Sequence, residues 1–315
     1  MRFILSMLSF DHFETELITS GDLLLVLARR EGTDSETRLY MSRDGGTTLE
    51  TVPAPPRIHA LAASGEIWIA TTSDTLYTTR DDGQTWTAST LPLSEMWSVL
   101  CFVGSEAWLA SGNQILVCVD GTARVAWKLS GANEHIAEII PIAGGSVLVT
   151  TDRGRILRGE PGSHELEDWS KGLPALTVGF GSPTIGRMEG IWLAFQGDLF
   201  ARRDGDPTWI PLPPSTPPDG GYLDAIRWLA PTQSAQWVAA PWGCDTWIGT
   251  DGAGVLMGGP RSMLRWLWQP SDGRMSIKHL APGGDAVFVS LRNATMNTAG
   301  VAVRANTTSV VKISR

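Results

Sequence analysis

The sequence predicts an all-β fold built from seven repeats of four short antiparallel strands. Three observations carry that expectation. Short runs alternating apolar and polar residues, broken by Gly, Asp and Pro, dominate the 315 residues, and long helical periodicity is nearly absent. A turn-forming residue recurs about every 40 residues. Two series of large apolar residues, many of them Trp, run in phase with it.

The turn series begins in LYMSRDGG, from Leu39, and continues through LYTTRDDG, ILVCVDG, RILRGEPG, LFARRDG, VLMGGP and VAVRAN. Its turn residues are Asp44, Asp81, Asp120, Glu160, Asp204, Pro260 and Asn306. Trp68, Trp108, Val147, Trp192, Trp247 and Val287 form the second series, in strands such as EIWIATT and EAWLASG. Leu49, Trp86, Trp127, Trp169, Trp209, Trp266 and Val311 form the third, in the strand after each turn.

The chain opens on MRFILSMLSFD, whose apolar run is cut by Asp11 and lacks a small-residue cleavage site. It is read as a strand and not as a signal peptide. Repeats then follow at about residues 11–55, 56–93, 94–132, 133–175, 176–214, 215–273 and 274–315. The second shows its four strands plainly as IHALAA, EIWIATT, TLYTTRD and TWTASTL. Four-stranded units of this length are propeller blades, since one small sheet cannot bury both faces alone. The expectation is a seven-bladed β-propeller in a single domain over residues 1–315. The strand at residues 2–8 is expected to pair with the last blade and close the ring.

Net charge is −8, which disfavours nucleic acid unless basic residues cluster. The pairs Arg29/Arg30 and Arg202/Arg203 are too small to reverse that. Cys101, Cys118 and Cys244 are widely spaced, with no CxxC pair and no His at ligand spacing. They fit a reducing, cytoplasmic setting and no zinc site. No apolar run approaches the roughly 20 residues of a membrane helix, so no membrane partner is expected. The sequons at Asn293 and Asn306 carry no weight.

Residues 79–86, TRDDGQTW, match the pattern S/T-x-D-x-G-x-T-W through Thr79, Asp81, Gly83, Thr85 and Trp86. Residues 42–49, SRDGGTTL, match through Ser42, Asp44, Gly46 and Thr48, with Leu in place of Trp. Residues 202–209 keep Asp204, Thr208 and Trp209 but lack the first hydroxyl and the Gly. The chain thus resembles the Asp-box, or BNR-repeat, propellers of the sialidase-like superfold. That group includes photosystem-assembly propellers and sortilin-like domains. In these turns Asp accepts backbone N–H bonds and Gly takes a positive φ, so both are expected to be architectural. The resemblance implies that such turns lie opposite the binding face.

Sialidase chemistry needs an arginine triad, a Tyr–Glu pair and an acid/base Asp, and the chain has only three Tyr. Tyr40 and Tyr77 share one structural repeat position, leaving Tyr222. Arg57-Ile58 resembles the family's Arg-Ile-Pro, but His59 replaces Pro and the element follows the first Asp-box. Another glycosidase would need two convergent carboxylates. Glu95, Glu134, Glu138, Asp219 and Asp224 lie near innermost strands and are read first as solvated rim charges. His59, His135 and His279 are read as channel-lining or hydrogen-bonded residues before metal ligands. GGSV and DGAG are turns without a P-loop Lys.

Three connections are enlarged on the face opposite the Asp-box turns: residues 29–37, 211–228 and 292–300. Blades six, seven and one adjoin in a closed ring, so the three should form one arc of loops. Four of the Trp outside the repeat series, Trp228, Trp237, Trp242 and Trp268, fall in the sixth repeat, and the fifth is Trp97. An extra strand with its own core is the alternative account of that cluster. The candidate partner-binding residues are Arg29, Arg30, Tyr222, Trp228, Trp237, Trp242 and Arg292. The expected function is a non-catalytic interaction or regulatory module of a larger assembly, with another protein as partner and no cofactor. A carbohydrate-binding propeller, or an atypical glycoside hydrolase, is the alternative.

Overall fold

The computed structural model describes residues 4–11, 13–30, 36–92, 99–119, 122–130, 133–160, 163, 165–174, 183–188, 191–196, 198–211, 238–242, 245–250, 254–259, 262–268, 275–283, 286–296 and 302–314. The chain starts with β1 (Ile4–Asp11). A first antiparallel sheet follows in chain order: β2 (Phe13–Ser20), β3 (Leu23–Arg30), β4 (Thr37–Ser42) and β5 (Glu50–Val52). The next is β6 (Ala60–Ser64), β7 (Ile67–Thr71), β8 (Thr75–Thr79) and β9 (Thr87–Thr90). Then come β10 (Val99–Val103), β11 (Glu106–Ser111), β12 (Gln114–Val119) and β13 (Thr122–Lys128). The fourth sheet is β14 (Ile136–Pro141), β15 (Val147–Thr151), β16 (Ile156–Gly159) and β17 (Glu167–Asp168).

The pattern continues with β18 (Thr184–Met188), β19 (Ile191–Gln196), β20 (Asp198–Arg203) and β21 (Ile210–Pro211). It repeats in β22 (Val238–Trp242), β23 (Asp245–Thr250), β24 (Gly254–Gly259) and β25 (Ser262–Trp268). The last three strands are β26 (Met275–Gly283), β27 (Ala286–Met296) and β28 (Ala302–Ser314). Their fourth partner is β1, in the order β1-β28-β27-β26.

That last sheet corrects two sequence expectations. Asn306 is not a turn, and Val311 does not start a fourth strand; both lie inside the 13-residue β28. The physical reason is the pairing of Ser6 with Val311 and Asp11 with Thr307. Because β1 supplies the fourth strand, β28 needs no turn to make one. Its neighbour β27 runs through Met296, so much of the expected loop at 292–300 is strand, Arg292 included.

Contacts divide the chain into two compact units. The first holds Met1–Gly32, Tyr40–Glu50 and Thr184–Arg315. Within it Leu17, Leu24, Val26 and Ala28 pack against Phe288 and Val310. The second holds Thr33–Leu39 and Thr51–Pro183, and includes the sheets β6–β9, β10–β13 and β14–β17.

In the second unit the second strand of each sheet, β7, β11 and β15, is buried on both faces, as packing between sheets requires. Alternation along β11 sorts its residues. Ala107 and Leu109 join Ile69, Leu76 and Leu91 in one core. Trp108 and Ala110 join Val147, Val149 and Leu157 in the other. Burying one such side chain contributes about 1.5–3 kcal/mol.

The second Trp series also needs correction. Ser64 pairs with Ile67 to close one hairpin, and Val103 pairs with Glu106 to close the next. Aligned on those hairpins, Trp68 matches Ala107, and Trp108 matches Ile69. The two tryptophans are one residue out of register, and in a strand one residue reverses the face. Trp68 therefore lies with Trp86 on the side of Pro53, their rings 6.5 Å apart. Trp108 packs against Trp127, their rings tilted with centroids 4.8 Å apart, on the opposite side, toward β14–β17.

Candidate functional site

The aspartates of the two matching turns are consumed locally. Ser42 Oγ donates to Asp44 Oδ1 at 2.7 Å and accepts from the Gly46 amide at 2.7 Å. The Thr47 and Thr48 amides and the Thr48 hydroxyl all donate to the Asp44 carboxylate. The second turn repeats the arrangement. Asp81 accepts from the Thr79 hydroxyl at 2.7 Å, the Thr85 amide at 2.9 Å and the Thr85 hydroxyl at 2.6 Å. Bonds from Thr85 and Thr79 lower the Asp81 pKa to about 2. Bonds from Thr48 and Ser42 move Asp44 the same way. Gly83, at φ 78°, lies against the Trp68 ring, and Trp86 Nε1 donates to Pro53 O at 3.1 Å. The third turn differs: Asp204 accepts from Trp192 Nε1 at 2.8 Å, and Trp209 is buried.

A charged cluster occupies the other end of the β14–β17 sheet. Glu134 and His135 precede β14, residues 152–155 join β15 to β16, and Asp168 ends β17. Arg155 reaches Glu134 with Nε at 2.7 Å and a terminal nitrogen at 2.6 Å, a bidentate pair. The Thr151 hydroxyl adds a third bond at 2.7 Å. Burial works to raise the Glu134 carboxyl, but Arg155 and Thr151 outweigh it and hold it below its ordinary value. Asp168 lies 3.7 Å from the same guanidinium. Beside this latch, Asp152 accepts from the His135 amide at 2.8 Å and meets its Nδ1 at 2.9 Å. Arg153 donates to Asn133 O at 3.1 Å. Glu134 is therefore a buried latch and not the rim charge expected of it, because Arg155 folds onto it from the next turn.

Glu138 behaves differently. A bulge in β14 between Ile136 and Glu138 re-aims this stretch. The side chain is open to solvent, yet desolvation by the protein around it pushes its carboxyl up to about 7. Glu138 in turn adds to the burial that pushes the Cys101 thiol up to about 12. Cys101 and Cys118 are both free thiols. In the first unit Glu16 is raised by burial against the opposing pull of Arg29, 3.4 Å away.

Of the remaining candidates, Arg29 is thus engaged by Glu16, and Arg30 is exposed at the end of β3. Trp242 and His279 lie in β22 and β26. Arg57 is exposed at φ 57°, and Ile58 is buried. Among the described residues no three His, Cys, Asp or Glu side chains gather as a metal site, and no helix is long and apolar enough to cross a membrane. Glu95, Trp97, Asp120, Asp219, Tyr222, Asp224, Trp228, Trp237, Cys244 and Pro260 lie outside the described residues, as do residues 31–35 and 212–228. Sequence reasoning missed Arg155, Thr151 and Asp168. Only the placement of Arg155 next to a tight turn hinted at them.

No known family profile matches the chain, and no curated protein matches it in sequence. Solved structures do. The protein YCF48 bound to a D1 peptide superposes with a TM-score of 0.66 at 13% identity, over 100% of this chain and 97% of that one. A catalytically inactive variant of virginiamycin B lyase from Staphylococcus aureus, with quinupristin, gives 0.69 at 12%, over 100% of each chain. A GH74 xyloglucanase from Xanthomonas campestris gives 0.58 at 15%, over 92% of this chain and 52% of the enzyme. At such identities the likeness shows the fold alone: the chain is an all-β protein of four-stranded antiparallel sheets, similar to propeller-type proteins.

Proposed function

We propose that the chain is one seven-bladed Asp-box propeller of the sialidase-like superfold over residues 1–315, with β1 closing the ring. It acts as a non-catalytic interaction or regulatory module within a larger cytoplasmic assembly, with another protein as partner. The observation that carries this reading is the Glu134–Arg155 latch. Three hydrogen bonds spend an acid that a hydrolase would keep free. The same bonds fix the surrounding turns, so His135, Asp152 and Arg153 stand in one rigid polar pattern, which suits a preorganised protein surface. The likeness to a propeller that holds a peptide supports a polypeptide partner. The loops at 29–37 and 211–228, with Arg30, Tyr222, Trp228, Trp237, Trp242 and Arg292, remain part of the proposed surface. The free thiols fit a reducing compartment.

Glu138 favours a second reading. A carboxyl raised to about 7 is the kind of acid that glycoside hydrolysis uses. Affinity capture from native lysate with mass spectrometry, run beside a glycan array, separates the two. The first reading expects a defined set of proteins on the wild type. It expects weaker capture by a protein shortened within residues 211–219, at an unchanged Tm. Specific glycan binding or turnover that Glu138→Gln abolishes would replace it with the second.

A further inference from the structure

Between the β6–β9 and β10–β13 sheets lies an open cavity of about 600 Å3, within the size range of small-molecule sites. Strand pairing explains why the space is there. Trp108 pairs with Val117, and Ile115 with Trp127. At the matching positions one sheet earlier, Ile69 pairs with Thr78, and Leu76 with Ser89. Ile69 thus stands where Trp108 stands, Ser89 where Trp127 stands, and Thr78 where Val117 stands. The gap beyond β10–β13 is closed by two indoles in tilted contact; the gap before it has neither.

We propose that this cavity binds a small, neutral, planar aromatic molecule of indole size. Ile69, Thr78 and Ser89, the counterparts of Trp108, Val117 and Trp127, all line it. Its floor is apolar, with Ile69, Leu76, Phe102 and Cys118. One wall carries the hydroxyls of Thr78, Thr87 and Ser89. Ser89 Oγ donates to Leu76 O at 3.5 Å, which leaves its lone pairs to accept from a ring N–H. The charges at the mouth, Arg80 and Asp81, are opposite and adjacent, and Asp81 is already bonded within its turn. Nothing at the floor is charged, so an ionised ligand would lose its hydration without a partner.

Titration with indole and 2-naphthol, read by saturation-transfer NMR and calorimetry on the full chain, tests this. The wild type is expected to bind both saturably, with Kd about 0.1–1 mM for ligands of this size. Ser89→Trp supplies the missing ring and is expected to weaken binding at least about tenfold without lowering Tm. If that variant fails to fold, Ser89→Leu and Ile69→Phe carry the same expectation. Thr78→Val should weaken both probes less. Absence of saturable binding by the wild type, or equal binding by the cavity-filling variants, overturns the proposal.

Discussion

The two gaps flanking the β10–β13 sheet are built from equivalent strands and close differently. Toward β14–β17 the space is filled by Trp108 on Trp127, with Val117 beside them. Toward β6–β9 the matching side chains are Ile69, Ser89 and Thr78, and a cavity remains. The β6–β9 sheet has its own two tryptophans, but Trp68 and Trp86 face Pro53 on the far side. A single residue of hairpin register decides which gap receives the rings. Composition alone would have called both sheets equally rich in Trp.

Trp108→Ala should cost most, about 4 kcal/mol, because it opens a void in a closed gap. Ile69→Ala should cost about 2 kcal/mol, since it enlarges a space already open. Urea denaturation of both variants checks the difference, and equal losses would break the comparison.

The filled side also carries the latch. Arg155→Ala leaves Glu134, only 9% exposed, without its partner. The expected loss is about 2–3 kcal/mol, below the usual value for a buried pair because Arg155 is a third exposed. Arg155→Lys should recover only part, since an ammonium cannot reproduce the bidentate fork. Full recovery by Lys, read from the urea midpoint, would show that charge alone matters.

The turn that leads into Trp86 and lies against the Trp68 ring offers a smaller effect. A Cβ on Gly83 would lie 3.0 Å from the Trp68 ring, at φ +78°. Gly83→Ala should cost about 2 kcal/mol. Gly65→Ala, at φ +59° with open space around it, should cost about 1 kcal/mol. Similar thermal shifts for the two would mean that the ring does not press on the turn.

Glu138 gives the smallest effect, seen through pH. Its folded pKa is raised from 4.5 to about 7, so the folded chain binds more protons than the unfolded one in that window. Stability should therefore fall as pH rises from about 4.5 to about 7. Exposure of the side chain limits the contribution to about 1 kcal/mol. Glu138→Gln should flatten this part of the Tm profile, and the slope left behind belongs partly to Glu16, raised for the same reason. An unchanged profile would show that the fold does not raise the Glu138 carboxyl.

The four-strand repeat and the aspartate turns were legible because both are local: alternation, turn formers and a fixed spacing write them into contiguous residues. Register was not. Glu-Ile-Trp and Glu-Ala-Trp look equivalent at Trp68 and Trp108, and only the spacing from the turn glycine, Gly65 three residues before Trp68 and Gly104 four before Trp108, reveals that they face opposite ways. The last sheet misled for a related reason. Repeat counting assigned Asn306 and Val311 a turn and a fourth strand that the distant β1 provides. Glu134 and Arg155 were hidden because their bond joins two loops that no spacing rule connects. Glu138 stood out in sequence only as an acid near an inner strand; its raised pKa depends on surroundings supplied by the fold.

Register leaves the β6–β9/β10–β13 gap short of one aromatic pair. The Tm difference between wild type and Ser89→Trp tests it most directly. With the gap open as described, the added ring fills existing space, and Tm should hold or rise by about 2–4 °C. A fall of several degrees in a folded protein would mean that the gap is already closed, and that the register argument is wrong.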